Sequence, residues 1–265
     1  MTQQVPDYAE AFDLEHGQHD EDISFFITMA HEMGGPLMEL GCGTGRLAIP
    51  LARSGMEVAG VDISADMLNR FSERLAHEPA EVRNRIRLIQ ADMRRFVLNR
   101  RFSGAICSSN TLLLLGSEKA IGEALACIRS HLAPGGKILI DVAAIDGGTR
   151  AALMKYPGEH VPDLAFTEKV RDDSLRRTHS VEPLADANAV SVRYRYLDSS
   201  GGLRAERRED LVLLLPEELL RLMGEQGYEV LQMFGWYDRR RFRPTERKLI
   251  VVAESGSENG NGVPA

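Results

Sequence analysis

The sequence is poor in several features that would narrow its class. It has three cysteines, Cys42, Cys107 and Cys127, odd in number and scattered in position. That set suits neither a disulfide framework nor a zinc site, and it predicts reduced thiols in a cytoplasmic protein with no metal. No apolar run approaches the length of a membrane span. The first residues, Met-Thr-Gln-Gln-Val-Pro-Asp-Tyr, lack the basic and apolar regions of a secretory signal. Positive charge is not in excess: the formal net charge is −7 over 265 residues, which disfavours an extended nucleic-acid surface. Internal repeats are absent. Apolar residues make up 43%, enough for the core of one domain carrying an insertion.

The pattern along the chain changes twice. Residues 1–33 read as a polar leader with one amphipathic helix, in which Ile23, Phe26, Ile27 and Ala30 share a face. From 34 to 146 strands alternate with helices. Strands are predicted at 37–40, 57–61, 86–90, 104–108 and 137–142, and helices at 44–54, 64–77 and 118–132. Ser64 caps the second helix, and Pro134-Gly135-Gly136 ends the last. Such alternation predicts a parallel sheet covered on both faces. Residues 147–215 change character, with extended segments at 174–181, 188–197 and 203–215. They read as a small antiparallel β meander that covers the substrate or makes a dimer contact. The core resumes over 216–253, with a helix from Pro216 and strands near 228–234 and 247–253. The tail, 254–265, is predicted to be disordered.

The chemistry concentrates at Glu39-Leu40-Gly41-Cys42-Gly43-Thr44-Gly45, where an apolar strand runs through three alternating glycines into a helical pattern. Something must approach that backbone closely. The spacing is not the dinucleotide form G-x-G-x-x-G, and no Gly-Lys-Ser/Thr follows to bind a triphosphate. Asp62 ends the second strand, where a carboxylate accepts both hydroxyls of a ribose, a device that NAD enzymes share. Asp92 ends the third strand, where it can accept from the amine of an adenine while Met93 packs on the ring. Ser108, Ser109 and Asn110 follow the fourth strand.

With Leu132-Ala133-Pro134-Gly135-Gly136-Lys137 added, this order of motifs resembles the class I S-adenosylmethionine-dependent methyltransferases over roughly 220 residues. The resemblance implies a Rossmann-like, doubly wound α/β fold, a seven-stranded sheet whose last strand is antiparallel. The cofactor would be S-adenosyl-L-methionine. Glu39 and the loop of Gly41, Gly43 and Gly45 would hold its methionine portion, and Asp62 the ribose. Ile63 would flank the adenine, Asp92 and Met93 would recognise it, and Ser108 would line the passage to the methyl group. Arg46, Met67 and, in the leader, Tyr8 complete the implied cofactor set. Tyr8, Phe12 and Asp13 are spaced as in small-molecule methyltransferases whose leader folds over the cofactor.

The acceptor side is less defined. The Asn/Asp-Pro-Pro-Tyr motif of the subgroup that methylates exocyclic amines of nucleic acid is replaced by Ser108-Ser109-Asn110-Thr111. A small-molecule acceptor, methylated on N or O by direct displacement, is therefore expected. His16 is a candidate base if the leader is a lid, and a solvated side chain otherwise. Asn110 either bonds the substrate or caps the next segment. Tyr196, with Tyr194, lines a substrate cavity or packs on the core sheet. Asp141 and Asp146 stand where some catechol methyltransferases place metal ligands, but a structural or solvent role is preferred. Three alternatives stay open: an RNA or protein methyltransferase using the arginines of 239–243, a non-catalytic cofactor-binding partner subunit, and a dinucleotide oxidoreductase. A homodimer through the β insertion is a further expectation.

Overall fold

The computed structural model describes residues 8–16, 21–155, 158, 161–168, 173–184 and 188–256. Two helices, α1 (Tyr8–His16) and α2 (Ile23–Met33), stand where one was expected. The buried stripe of α2 is Phe26, Met29, Ala30 and Met33, with Phe25 beside it, so the stripe is rotated from the expected face. Strand β1 (Leu37–Leu40) leads into α3 (Ala48–Arg53), then β2 (Val58–Asp62), α4 (Ala65–Ala76), the short α5 (Ala80–Arg83) and β3 (Ile86–Gln90). Strand β4 (Phe102–Cys107), a 3-10 turn at Thr111–Leu115, α6 (Glu118–His131) and β5 (Leu132–Ala143) follow. Ser64 caps α4 as expected, accepting from the Met67 N–H at 3.3 Å, and Ser117 caps α6 in the same way. Strand β5 begins at Leu132, before the Pro-Gly-Gly, and its pairing with β4 slips there from Phe102↔Leu132 to Gly104↔Lys137.

After β5 come α7 (Gly147–Lys155), which the sequence pattern did not indicate, and four strands. These are β6 (Val161–Glu168), β7 (Asp173–Pro183), β8 (Ala189–Leu197) and β9 (Leu203–Val212), antiparallel in that order. The expected meander had three extended segments, and β6 is the added one. Helix α8 (Pro216–Glu225), β10 (Tyr228–Phe234) and β11 (Lys248–Ser255) close the chain. Strand β11 pairs through Ser255, two residues further than expected, and the remainder of the predicted tail, from 257, lies outside the described residues.

The main sheet has the order β10-β11-β5-β4-β1-β2-β3. Strand β11 runs antiparallel to β5 and β10, and the others pair in parallel. Successive residues of a strand point to opposite faces. Ala105, Cys107, Ile138 and Ile140 therefore pack with α6 and α8, while Ile106 and Leu139 pack with α2 and α3. Burial on both faces explains why β1 and β2 show no polar–apolar alternation, with Glu39 and Asp62 buried beside their apolar neighbours.

One buried ion pair ties the strand ends together. Asp141, on β5, is fully buried and accepts from Lys248 Nζ at 2.7 Å, Tyr237 Oη at 2.9 Å and the Ser109 N–H at 3.3 Å. Its oxygens are thus taken up in holding β11, the 235–247 loop and the end of β4. Removing one member of such a pair strands the other charge. Lys248→Met should lose about 3–5 kcal/mol of stability in urea denaturation. A loss below about 1 kcal/mol would mean that the pair behaves like an exposed one.

Candidate functional site

A cavity of about 360 Å³ opens at the carboxyl ends of β1, β2 and β4. The strand order reverses between β1 and β4, the place where open α/β sheets take ligands. Its floor is the glycine loop. Gly41, Gly43 and Gly45 all have positive φ, at 67°, 52° and 80°. A Cβ on Gly41 would lie 2.2 Å from Thr111, and one on Gly45 2.4 Å from the Phe71 ring. Those two glycines let the loop pack on its own chain. Gly41 and Gly43 both line the cavity, and Gly43, with no neighbour closer than 3.9 Å to an added Cβ, leaves its backbone open to a ligand.

Charged groups converge on this loop. Asp62 Oδ2 accepts the Gly43 N–H at 2.8 Å and Oδ1 accepts the Ser64 N–H at 2.9 Å, which leaves each oxygen a further lone pair. Glu39 is 3% exposed and lines the cavity, and its Oε2 has no hydrogen-bond partner among the described residues. Burial pushes its carboxyl up to about 8, with Asp62 adding to the rise while Arg46 and the Ala48 N–H oppose it. A buried carboxylate oxygen without a donor fits a cationic ligand group. Arg46 lines the cavity and forks onto Asp22 at 2.8 and 2.6 Å.

The opposite wall carries Ile63, Met67, Met93, Leu114 and Leu115. Ile63 is 67% exposed, as a residue awaiting a flat partner would be. Asp92 also lines the wall, but Arg94 engages both its oxygens, through its N–H and through a guanidinium fork at 2.6–3.0 Å. These bonds hold the Asp92 carboxyl below the usual carboxylate range. An adenine edge can reach that carboxylate only by displacing Arg94, which was not anticipated. Ser108 lines the cavity as expected.

None of the three candidate catalytic side chains is on this wall. Asn110 uses its Oδ1 to accept the Ala143 N–H at 2.6 Å and borders a second, smaller cavity. It joins the end of β4 to β5 and does not face the large cavity. Tyr196 is fully buried and donates to Glu15 Oε2 at 2.6 Å. His16 stacks on Phe12 at 4.3 Å, and burial pushes its imidazole down to about 4 against the pull of Glu15. It is therefore neutral at pH 7 and a weak base. Tyr8 opens α1, and its side chain lies outside the described residues. No group of three His, Cys, Asp or Glu side chains suited to a metal occurs among the described residues.

The leader does reach the cavity, through Phe12. Asp13 accepts from Thr44 Oγ1 at 2.6 Å, from Arg74 at 3.3 Å and from Arg70. Glu15, two residues on, takes Arg177, Arg207 (3.0 Å) and Tyr196 from the inserted sheet. Burial works against ionising Glu15, but Arg207, His16, Arg177 and the Tyr196 hydrogen bond outweigh it and lower its pKa. Sequence reasoning missed Glu15, Arg177 and Arg207, and also Glu209, which lines the large cavity from β9. The alternation of Ala205, Arg207 and Glu209 along one strand face was the available signal.

Comparisons with known proteins identify the same kind of domain. A family model described as a methyltransferase domain matches residues 37–136. The dTDP-3-amino-3,4,6-trideoxy-alpha-D-glucopyranose N,N-dimethyltransferase of Streptomyces venezuelae is 25% identical over 210 residues, covering 75% of this chain and 79% of its own. The glycine/sarcosine N-methyltransferase of Aphanothece halophytica is 31% identical over 228 residues, covering 83% and 76%. The solved structure of the glycopeptide N-methyltransferase MtfA complexed with (S)-adenosyl-L-methionine superposes with a TM-score of 0.60 at 26% identity, covering 89% of this chain and 94% of that one.

Glu39 makes the ligand-free protein sensitive to pH. A carboxyl whose folded pKa is raised loses stability as pH climbs from its unfolded value, about 4.3, to the folded one. Glu39→Gln should therefore gain on the parent in thermal unfolding up to a pH of about 8, by up to a few kcal/mol, and then level off. A difference that does not vary with pH would show that the Glu39 carboxyl is not perturbed.

Proposed function

The chain belongs to the class I S-adenosylmethionine-dependent methyltransferases, and we propose that it methylates a nitrogen of a small-molecule acceptor. The single observation that carries the donor assignment is the buried Glu39 Oε2, without a partner among the described residues, in the cavity that Gly43 also lines. It suits the ammonium of a methionine portion. Asp62 is assigned the ribose hydroxyls, using its remaining lone pairs. Ile63, Met67 and Met93 would enclose the adenine, and Asp92 would take its amine as Arg94 turns away. Arg46, Ser108 and Tyr8 complete the proposed cofactor set. Nitrogen as acceptor atom is supported by the relatives, which are named N-methyltransferases.

When bound, S-adenosylmethionine supplies a methyl group on a cationic sulfur. Glu39, Gly43 and Asp62 would hold the cofactor while that methyl passes to the lone pair of an acceptor nitrogen and the neutral thioether leaves, and the methylated nitrogen would lose a proton to solvent. A neutral amine needs no base, in keeping with a His16 that is a weak one. The chain's part is to align the reactants and exclude water, with Phe12 and the inserted sheet covering the site. Arg239 and Arg240 are engaged by Glu32 and Asp238, which weakens the RNA alternative.

Free thiols at Cys42, Cys107 and Cys127 support a cytoplasmic location. No helix among the described residues is long and apolar enough to cross a membrane. The edge strand β6, paired on one side with β7, supports a homodimer through the inserted sheet. Sedimentation velocity should give a dimer mass, and a monomer at high micromolar concentration would remove that proposal.

Calorimetric titration should show binding of S-adenosylhomocysteine and none of NAD. Asp62→Ala should weaken that binding by about 1–3 kcal/mol, through loss of a charged acceptor. Binding of NAD instead of S-adenosylhomocysteine would refute the donor assignment. Unchanged affinity in Asp62→Ala would refute the ribose role.

A further inference from the structure

The face that the inserted sheet turns towards the core changes character row by row. Strand register sets Arg177 beside Tyr196 and Ala205, then His179 beside Tyr194 and Arg207. The next row is Val181, Val192 and Glu209, and the last is Pro183, Val190 and Leu211. The first two rows belong to the charged cluster around Glu15. Val181, Val190, Val192 and Leu211 of the last two border a second cavity of about 170 Å³, in which Asn110 is the one polar side chain among the described residues. Glu209 breaks the apolar run. Its carboxylate is largely buried, with Oε1 at 3.3 Å from Arg207, and it lines the large cavity. The 3-10 turn lies along both spaces, with Leu114 and Leu115 bordering the large one and Leu113 the small one, and the two linings meet on the sheet where Val192 of the small cavity pairs with Glu209 of the large one.

A carboxylate in one cavity, paired across the strands with a wall residue of an apolar one, selects a ligand with matching parts. The cavity is close in size to one of about 150 Å³ known to hold benzene. Glu209 stands directly across from Val192 and one pleat, about 7 Å, from Leu211. That interval suits a short linker between a charged head and a ring.

We propose that the acceptor is an amine carried on an apolar body of about phenyl size, with Glu209 binding the amine and the small cavity taking the body. This rests on the methyltransferase reading and narrows its substrate. Glu209 accepts an N–H of the incoming ammonium and holds the nitrogen at the large cavity, and the ammonium gives one proton to solvent before its lone pair is free to take the methyl. The apolar body displaces water from walls built by Val190, Val192, Leu211 and Leu153. Anionic acceptors are disfavoured by the same carboxylate.

The test is direct binding to the full chain saturated with S-adenosylhomocysteine. Three probes are titrated: 2-phenylethylamine, ethylamine and phenylacetate. The first should bind at least about ten-fold more tightly than either of the others, the worth of burying a ring and of the charge match. Glu209→Gln should weaken 2-phenylethylamine by about ten-fold or more. Val190→Phe, filling the cavity from the sheet, and Leu153→Phe, filling it from α7, should each erase the preference over ethylamine. S-adenosylhomocysteine affinity should stay within about two-fold in all three variants, which also reports that they fold. Equal binding of 2-phenylethylamine and ethylamine, or a preference that survives in a folded cavity-filled variant, would overturn the proposal. So would no amine binding to a chain that does bind S-adenosylhomocysteine, and in that case the donor reading stands. Failure of wild type to bind S-adenosylhomocysteine would overturn both.

Discussion

The Asp62 carboxylate is the fixed point of this molecule. It ends β2, receives the Gly43 N–H on one oxygen and the Ser64 N–H on the other, and so joins the glycine loop to the start of α4 before any ligand arrives. The glycine loop, 19 residues away in sequence, is thereby held against the β2–α4 turn. The loop itself is shaped by packing. Gly41 and Gly45 accommodate Thr111 and Phe71, which brings Gly43 to the cavity wall. Such preorganisation matters because a methyl displacement is governed by alignment, and a loop that had to order on binding would spend binding energy on itself.

A second constraint lies in the leader. Asp13 and Glu15 sit two residues apart on α1 and engage different parts of the fold. Asp13 takes Thr44, Arg70 and Arg74 of the main unit, and Glu15 takes Arg177, Tyr196 and Arg207 of the inserted sheet. Arg207 and Arg177 also lie over the Tyr194 ring, at 4.5 and 4.8 Å. Charges so far from water persist only when each is paired, and the cluster meets that condition by drawing partners from four elements. Helix α1 therefore acts as a crossbar, and Phe12 on the same helix becomes part of the cavity wall.

Much of the main sheet was legible in the sequence because its signals are local. Apolar runs of strand length, Ser64 at a helix start and Pro216 at another depend on neighbours a few residues away. The leader and the insertion were less legible. Helix α1 has a weak apolar face, and it is tied down by ion pairs to residues more than 50 and more than 160 positions away. The end of β11 was placed too early because Glu254 and Ser255 look polar in isolation, yet they pair with Glu229, Lys137 and Tyr228.

The sequence by itself determined the alternation of strands and helices, the three glycines at the first turn, and acidic residues at the ends of β2 and β3. These follow from spacing along the chain, which tertiary structure cannot alter. What only the tertiary structure decided is which groups remain available. It committed Asn110 to Ala143, Tyr196 to Glu15, and Asp92 to Arg94, while leaving a buried Glu39 oxygen without a donor. It also carried Glu209 from a distant strand to the cavity above the glycine loop. Hydrogen-bond commitment and burial depend on which surfaces meet, and no periodicity along the chain encodes that.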